Sequence, residues 1–186
     1  RLHARAFVFR DADTGKKTAL VVCEMAFVTI SIKRGVLKKL NRFHPEMGFT
    51  DENLMISAQH THSGPGGYSH YGFYNLSIPG FVTEVYQQIV EGIYEAIIQA
   101  DAHLRPAKLQ LAEGEFAPEL DVAFNRSMDA YLRNPDAKKL DPKDTHLAVD
   151  RTMRLLKISS PEGEALGAIN WFGVHATSVH NDNRKI

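Results

Sequence analysis

The run Gln59-His60-Thr61-His62-Ser63-Gly64-Pro65-Gly66-Gly67 constrains this chain more than any other stretch. Three glycines and a proline within it rule out regular helix or strand, so the backbone must pass through as a loop. The short apolar segment Asn53 to Ala58 that feeds it reads as a strand. The chain therefore presents a loop rich in imidazole and bare backbone at the end of a strand, where side chains are positioned by a rigid scaffold.

The segments around this loop alternate between two periodicities. Ala4 to Arg10 and Lys17 to Cys23 are rich in Val, Phe and Leu and flank the polar turn Asp11 to Lys16, a pattern that predicts a β-hairpin. From Ile30 to Phe43 the apolar residues Ile32, Val36, Leu37, Leu40 and Phe43 recur at helical spacing, with Pro45 as the stop. Gly80 to Leu104 repeats that logic with Val82, Val85, Ile89, Ile93, Ala96 and Ile97 on one stripe. Further strands are predicted at Lys108 to Ala112, Met153 to Ile158 and Ala165 to Val174, the last two joined by a turn at Pro161-Glu162-Gly163. Residues 118 to 150 are polar and irregular apart from a short helix around Tyr131. No internal repeat or linker divides the chain, so the expected class is α/β, with mixed β-sheets flanked by α-helices in one domain.

Composition narrows the function classes. With 186 residues, 44% of them hydrophobic, the chain is long enough to bury one sizeable core. Lys plus Arg and Asp plus Glu number 22 each, so no basic field is present to hold phosphate backbones, and nucleic acid is not an expected partner. The most apolar run, Thr18 to Ile32, contains Glu24 and is shorter than the roughly 18 to 20 residues that cross a bilayer, so no transmembrane segment is expected. Cys23 is the single cysteine; in its apolar stretch it reads as buried and structural.

Several side chains have the chemistry of a site. His60 and His62 stand two apart, so a strand continuing through them would send both imidazoles from one face toward a shared ion or substrate. The spacing alone leaves a zinc pair and a solvated polar loop equally open. His175, after the apolar strand ending Asn170-Trp171-Phe172-Gly173-Val174, is a third donor at a strand end, with a strand-end hydrogen-bonding histidine as its alternative. His180, among Asn181, Asp182 and Asn183, reads as solvated. Arg126 in Phe124-Asn125-Arg126-Ser127 has the charge to stabilise an oxyanion, or to sit plainly on the surface. Ser63 is not a nucleophile on this reading, because its neighbour His62 points away from it. Glu24 is open between a site residue and a carboxylate preceding a helix. Tyr68, Tyr71, Phe73, Tyr74, Leu76 and Ile78 form an aromatic cluster that reads as core or as an apolar groove for a lipid chain.

The string Ser57-Ala58-Gln59-His60-Thr61-His62-Ser63-Gly64-Pro65-Gly66-Gly67-Tyr68, continued by Tyr71-Gly72-Phe73-Tyr74-Asn75-Leu76, resembles the histidine loop of the neutral ceramidases. Asn125-Arg126-Ser127 with Tyr131-Leu132 and Asn134-Pro135 is similar to that family's arginine segment. Asn170-Trp171-Phe172 with His175-Ala176-Thr177-Ser178 is similar to its second zinc-histidine region. The blocks occur in the family's order across most of the chain.

The resemblance implies a partial catalytic domain in which His60 and His175 are zinc ligands and His62 and Arg126 support catalysis near the scissile amide. It implies Zn2+ as cofactor and hydrolysis of the N-acyl bond of ceramide, or a related N-acyl sphingolipid, to sphingosine and a fatty acid. It also implies a membrane surface as the substrate's source and a secreted or periplasmic location. The family's glutamate and tyrosine ligands, its catalytic serine and its C-terminal immunoglobulin-like domain have no match before Ile186. Residues 1–186 are therefore expected to be the N-terminal portion of a single ceramidase-like catalytic domain, truncated on its C-terminal side and inactive in isolation. Two alternatives stand beside this reading: a noncatalytic lipid- or ligand-binding module, and another zinc-dependent amidase. The metallo-β-lactamase pattern asks for Asp and His where this chain has Gly64 and Pro65, and the barrel amidohydrolases lack an opening hairpin and helix.

Overall fold

The computed structural model describes residues 2–175, 179–180 and 182–183. The described residues form two compact units, one built on residues 2–104 and one on residues 105–175.

In the first unit, β1 (Ala4–Arg10) and β2 (Lys17–Cys23) form the predicted hairpin, paired antiparallel from Ala4↔Cys23 to Arg10↔Lys17. Its turn is set by local chemistry. The Asp11 carboxylate accepts hydrogen bonds from the Thr14 amide at 2.7 Å and hydroxyl at 2.6 Å, and Gly15 takes the left-handed conformation at φ 69°. Helix α1 (Ile30–Phe43) then crosses over to β3 (Leu54–Ala58), which pairs parallel with β2 from Ala19↔Leu54 to Cys23↔Ala58. Thr29 caps α1 by accepting a bond from the Ile32 amide at 3.4 Å. Helix α2 (Thr83–Ala102) packs against α1 and β1.

The core follows from these periodicities. Ile32, Val36, Leu37 and Leu40 from α1 meet Ala19, Val21 and Cys23 from β2, Leu54 from β3, and Val90, Ile93 and Ile97 from α2. Each fully buried aliphatic side chain contributes roughly 1.5–3 kcal/mol. Gly35 lets the helices approach: a Cβ there would lie 2.5 Å from the Tyr86 hydroxyl, which donates to the Ser31 carbonyl at 2.9 Å. Lys17 and Asp101 pair at 2.7 Å between β2 and the end of α2. Cys23 is buried as expected, and burial pushes its thiol up to about 12.

The second unit is an antiparallel sheet in the order β4-β5-β6. Strand β4 (Lys108–Glu115) runs further than the predicted Lys108 to Ala112, because its ladder with β5 (Thr152–Ser159) continues through Glu115↔Thr152. Strand β6 (Ala165–Trp171) ends before the predicted Val174, since its pairing with β5 stops at Arg154↔Trp171. Gly163, at φ 99°, turns the chain between them. The irregular stretch 118–150 holds one short helix, α3 (Met128–Leu132), around the expected Tyr131. Among the described residues, no helix is long and apolar enough to cross a membrane.

Candidate metal and catalytic site

The histidine loop leaves β3 clipped to the chain that leaves β2. The Gln59 amide donates to the Cys23 carbonyl at 3.0 Å, and the Thr61 amide to the Met25 carbonyl at 3.2 Å. Between them His60 adopts φ 61°, the one non-glycine residue with positive φ among the described residues. The strand therefore does not continue through His60 and His62, and the one-face geometry expected from their spacing is replaced by a left-handed kink. A conformation of this kind costs of order 1 kcal/mol or more, and it persists where the surroundings over-determine it.

One of those surroundings is the hydrogen bond between His60 Nδ1 and the Ala26 carbonyl, at 2.6 Å. A carbonyl only accepts, so Nδ1 carries the proton and Nε2 becomes the lone-pair nitrogen of the neutral ring. That is the arrangement in which a histidine ligates a metal, with its second nitrogen held by a carbonyl. The His62 ring stands edge-on to it, with centroids 4.8 Å apart and planes at 90°. Both imidazoles are exposed. His60 thus fits a metal by its tautomer, and the pair by proximity, although not by the strand geometry that suggested it.

Beyond the histidines the loop is pinned. Gly67, at φ 82°, accepts at its carbonyl from the Val82 amide at 2.7 Å, and a Cβ there would lie 2.8 Å from Val82 Cγ2. Tyr68 is buried, and its hydroxyl donates to the Phe27 carbonyl at 3.2 Å. The aromatic cluster divides at this point. Tyr68 belongs to the core, whereas Tyr71, Phe73, Tyr74 and Leu76 are exposed, Phe73 by 79%. Glu24 is held by the hairpin itself: its carboxylate accepts from Arg5 at 2.6 Å and from His3 Nδ1 and the His3 amide at 3.0 and 2.9 Å. The Arg5 bond first, then His3, hold its carboxyl down to about 2.

In the second unit Arg126 is exposed and follows Asn125, whose side-chain amide donates to the Ala148 carbonyl at 3.1 Å and whose backbone amide donates to the Thr145 carbonyl at 2.9 Å. Sequence reasoning missed the residue that organises this stretch. The Arg151 guanidinium donates to the carbonyls of Phe116 at 3.0 Å, His146 at 2.9 Å, Leu120 at 2.6 Å and also Ala117. The available signal was an arginine entering a strand next to a long stretch of irregular backbone, whose carbonyls need donors. His175 is exposed and lies four residues beyond the end of β6, not directly after it. The adjoining Ala176-Thr177-Ser178 lie outside the described residues. His180 is exposed, as expected.

The mixed α/β fold has counterparts among known proteins. The profile of the neutral/alkaline non-lysosomal ceramidases, N-terminal region, matches residues 1–186, and the chain belongs to this family. It is 37% identical over its whole length to the neutral ceramidase of Pseudomonas aeruginosa and 36% identical to neutral ceramidase 1 of Arabidopsis thaliana, covering 26% and 23% of those proteins. Over 98% of its length it superposes with a TM-score of 0.87 on two solved structures, a ceramidase complexed with C2 and the neutral ceramidase of P. aeruginosa, each 38% identical. The chain spans about a quarter of the length of these relatives.

Proposed function

We propose that this chain contributes to a zinc-dependent amidase that hydrolyses the N-acyl bond of ceramide, with the two units working in one catalytic domain. The observation that carries the reading is the His60 ring, whose Nδ1 is committed to the Ala26 carbonyl within a chain matched from end to end by the ceramidase family. The relatives' names supply the substrate class.

His60 and His175 are the proposed ligands, with the rest of the shell supplied from outside this chain. When bound, zinc supplies Lewis acidity toward an amide carbonyl and lowers the pKa of nearby water. Amide resonance is the barrier, and negative charge grows on the carbonyl oxygen as the bond to the attacking oxygen forms. Arg126 and His62 are proposed to stabilise that charge, Arg126 by its permanent positive charge and His62 by donating a hydrogen bond. The Ala26 carbonyl keeps His60 in one tautomer throughout, and the backbone bonds at Gln59 and Thr61 hold the main chain on either side of it. Ceramide is insoluble in water, so the enzyme meets it at a membrane surface, and a secreted or periplasmic location suits that encounter.

Ceramide hydrolysis by the intact protein tests this, in the wild type and in His60→Ala, His175→Ala and Arg126→Ala. The histidine variants are expected to lose activity together with zinc, and Arg126→Ala to lose turnover while keeping zinc. A folded wild type that binds zinc and leaves every ceramide uncleaved would make the chain part of a noncatalytic lipid-binding module.

A further inference from the structure

Beneath the histidine loop, within the first unit, lies a cavity of about 390 Å³ between the hairpin and α2. Its walls include Ala4, Cys23 and Met25 from the hairpin side, Pro65 and Tyr68 from the loop, and Val85, Ile89 and Ile93 from α2. This size and this apolar lining are those of a small-molecule pocket.

The cavity exists because of a gap in one helix. Positions 85, 88, 89, 92 and 93 form a single stripe of α2, spaced to face one neighbour. Four of them carry side chains, and the fifth is Gly92. A Cβ added at Gly92 meets nothing within 4 Å, whereas one at Gly35, the other glycine inside a long helix here, meets Tyr86 and Val90 at 2.5 and 3.0 Å. Gly35 is explained by close packing. Gly92 is not, and a glycine inside a helix weakens it relative to alanine. What Gly92 does is leave the pocket open.

The lining also selects a head group. It holds two carboxylates, Glu24 and Glu84, with His3 and Gln88, and no lysine or arginine. Glu24 is ion-paired with Arg5 and bonded to His3, whereas Glu84 is in no ion pair among the described residues. A fatty-acid carboxylate would face like charge at Glu84, and an amide or amine would not.

We propose that this pocket is a binding site for the alkyl tail of an amphiphile with an uncharged or amine head, which on the reading above is the sphingoid side of substrate or product. Pro65 and Tyr68 make the pocket wall and the histidine loop one continuous segment, so a tail seated here lies against the loop that carries His60 and His62.

The test uses the intact protein with methyl-labelled Met, Ile and Val, a long-chain primary alkylamine below its micelle concentration, and the fatty acid of equal chain length. The amine is expected to shift the methyl signals of Met25, Val85, Ile89 and Ile93 saturably, and the fatty acid to do so more weakly. Gly92→Leu, which fills the pocket from an unstrained helical position, is expected to weaken amine binding about tenfold or more with the fold kept. Val85→Phe fills it from the same helix and serves if Gly92→Leu fails to fold. Shifts that are absent, equal for both probes, or unchanged in a folded pocket-filling variant would overturn the proposal. His60→Ala is expected to leave these shifts intact. Pocket binding without ceramide hydrolysis in the intact protein would sink the ceramidase reading alone, and hydrolysis without pocket binding would sink this inference alone.

Discussion

The two units solve the problem of burying a sheet differently. In the first, two helices lie on a three-stranded mixed sheet, and Leu40, Val36, Ile32, Val21 and Ala19 are completely buried. In the second, all of β4 is exposed, including Leu111 at 73%, and order comes from the strand ladders and from one guanidinium gathering four carbonyls. The first unit is thus organised by apolar burial and the second mainly by hydrogen bonds. The His60 loop grows from the part with the deeper core, which suits a site whose geometry must be held.

Core truncation should break this contrast most visibly. Leu40→Ala is expected to cost the first unit about 2–5 kcal/mol in denaturant unfolding, whereas Leu111→Ala should stay within about 0.5 kcal/mol because its side chain already faces solvent. Equal costs would mean that β4 is covered in solution. In the second unit, Arg151→Ala is expected to cost about 2–3 kcal/mol by leaving several carbonyls without a charged donor. Trp171, the single tryptophan, reports that unit by fluorescence, and hydrogen exchange should rise across 116–150 without rising in β2.

The helix glycines sharpen the comparison inside the first unit. Gly35→Ala should destabilise by about 1–3 kcal/mol through the Tyr86 contact. Gly92→Ala should stabilise by about 0.5–1 kcal/mol, since helix propensity improves with nothing displaced. Thermal unfolding separates the two by sign.

The smallest effect concerns the hairpin. Glu24 sits at about 2 in the folded protein against an ordinary 4.5, so the folded state holds its proton less tightly than the unfolded chain does. Its stabilising contribution is therefore complete above about 4.5 and is lost as pH falls toward about 2. Glu24→Gln should flatten the stability curve across that window, and a curve unchanged there would mean the carboxylate is not held by Arg5 and His3.

Much of the first unit was legible because its signals are local and redundant. The hairpin bounds, the span of α1 and the strand before the histidine loop follow from alternation, helical spacing and turn residues acting over a few positions. The second unit was less legible at its edges. How far β4 and β6 run depends on partner strands distant in sequence, which no local pattern encodes. The same holds at the site. His60 and His62 announce themselves as a pair, but the Ala26 carbonyl that fixes the His60 tautomer is a backbone group and leaves no mark in side-chain identity. Arg151 looks like any strand-entry arginine until the carbonyls around it are placed.

The most direct test of the account is the zinc content of the intact protein, measured on the wild type and on His60→Ala and His175→Ala, with circular dichroism to establish that each is folded. The wild type is expected to hold about one zinc per chain, with imidazole nitrogens in its absorption-edge spectrum, and either variant to lose that zinc. Full zinc retention in a folded His60→Ala protein would contradict it.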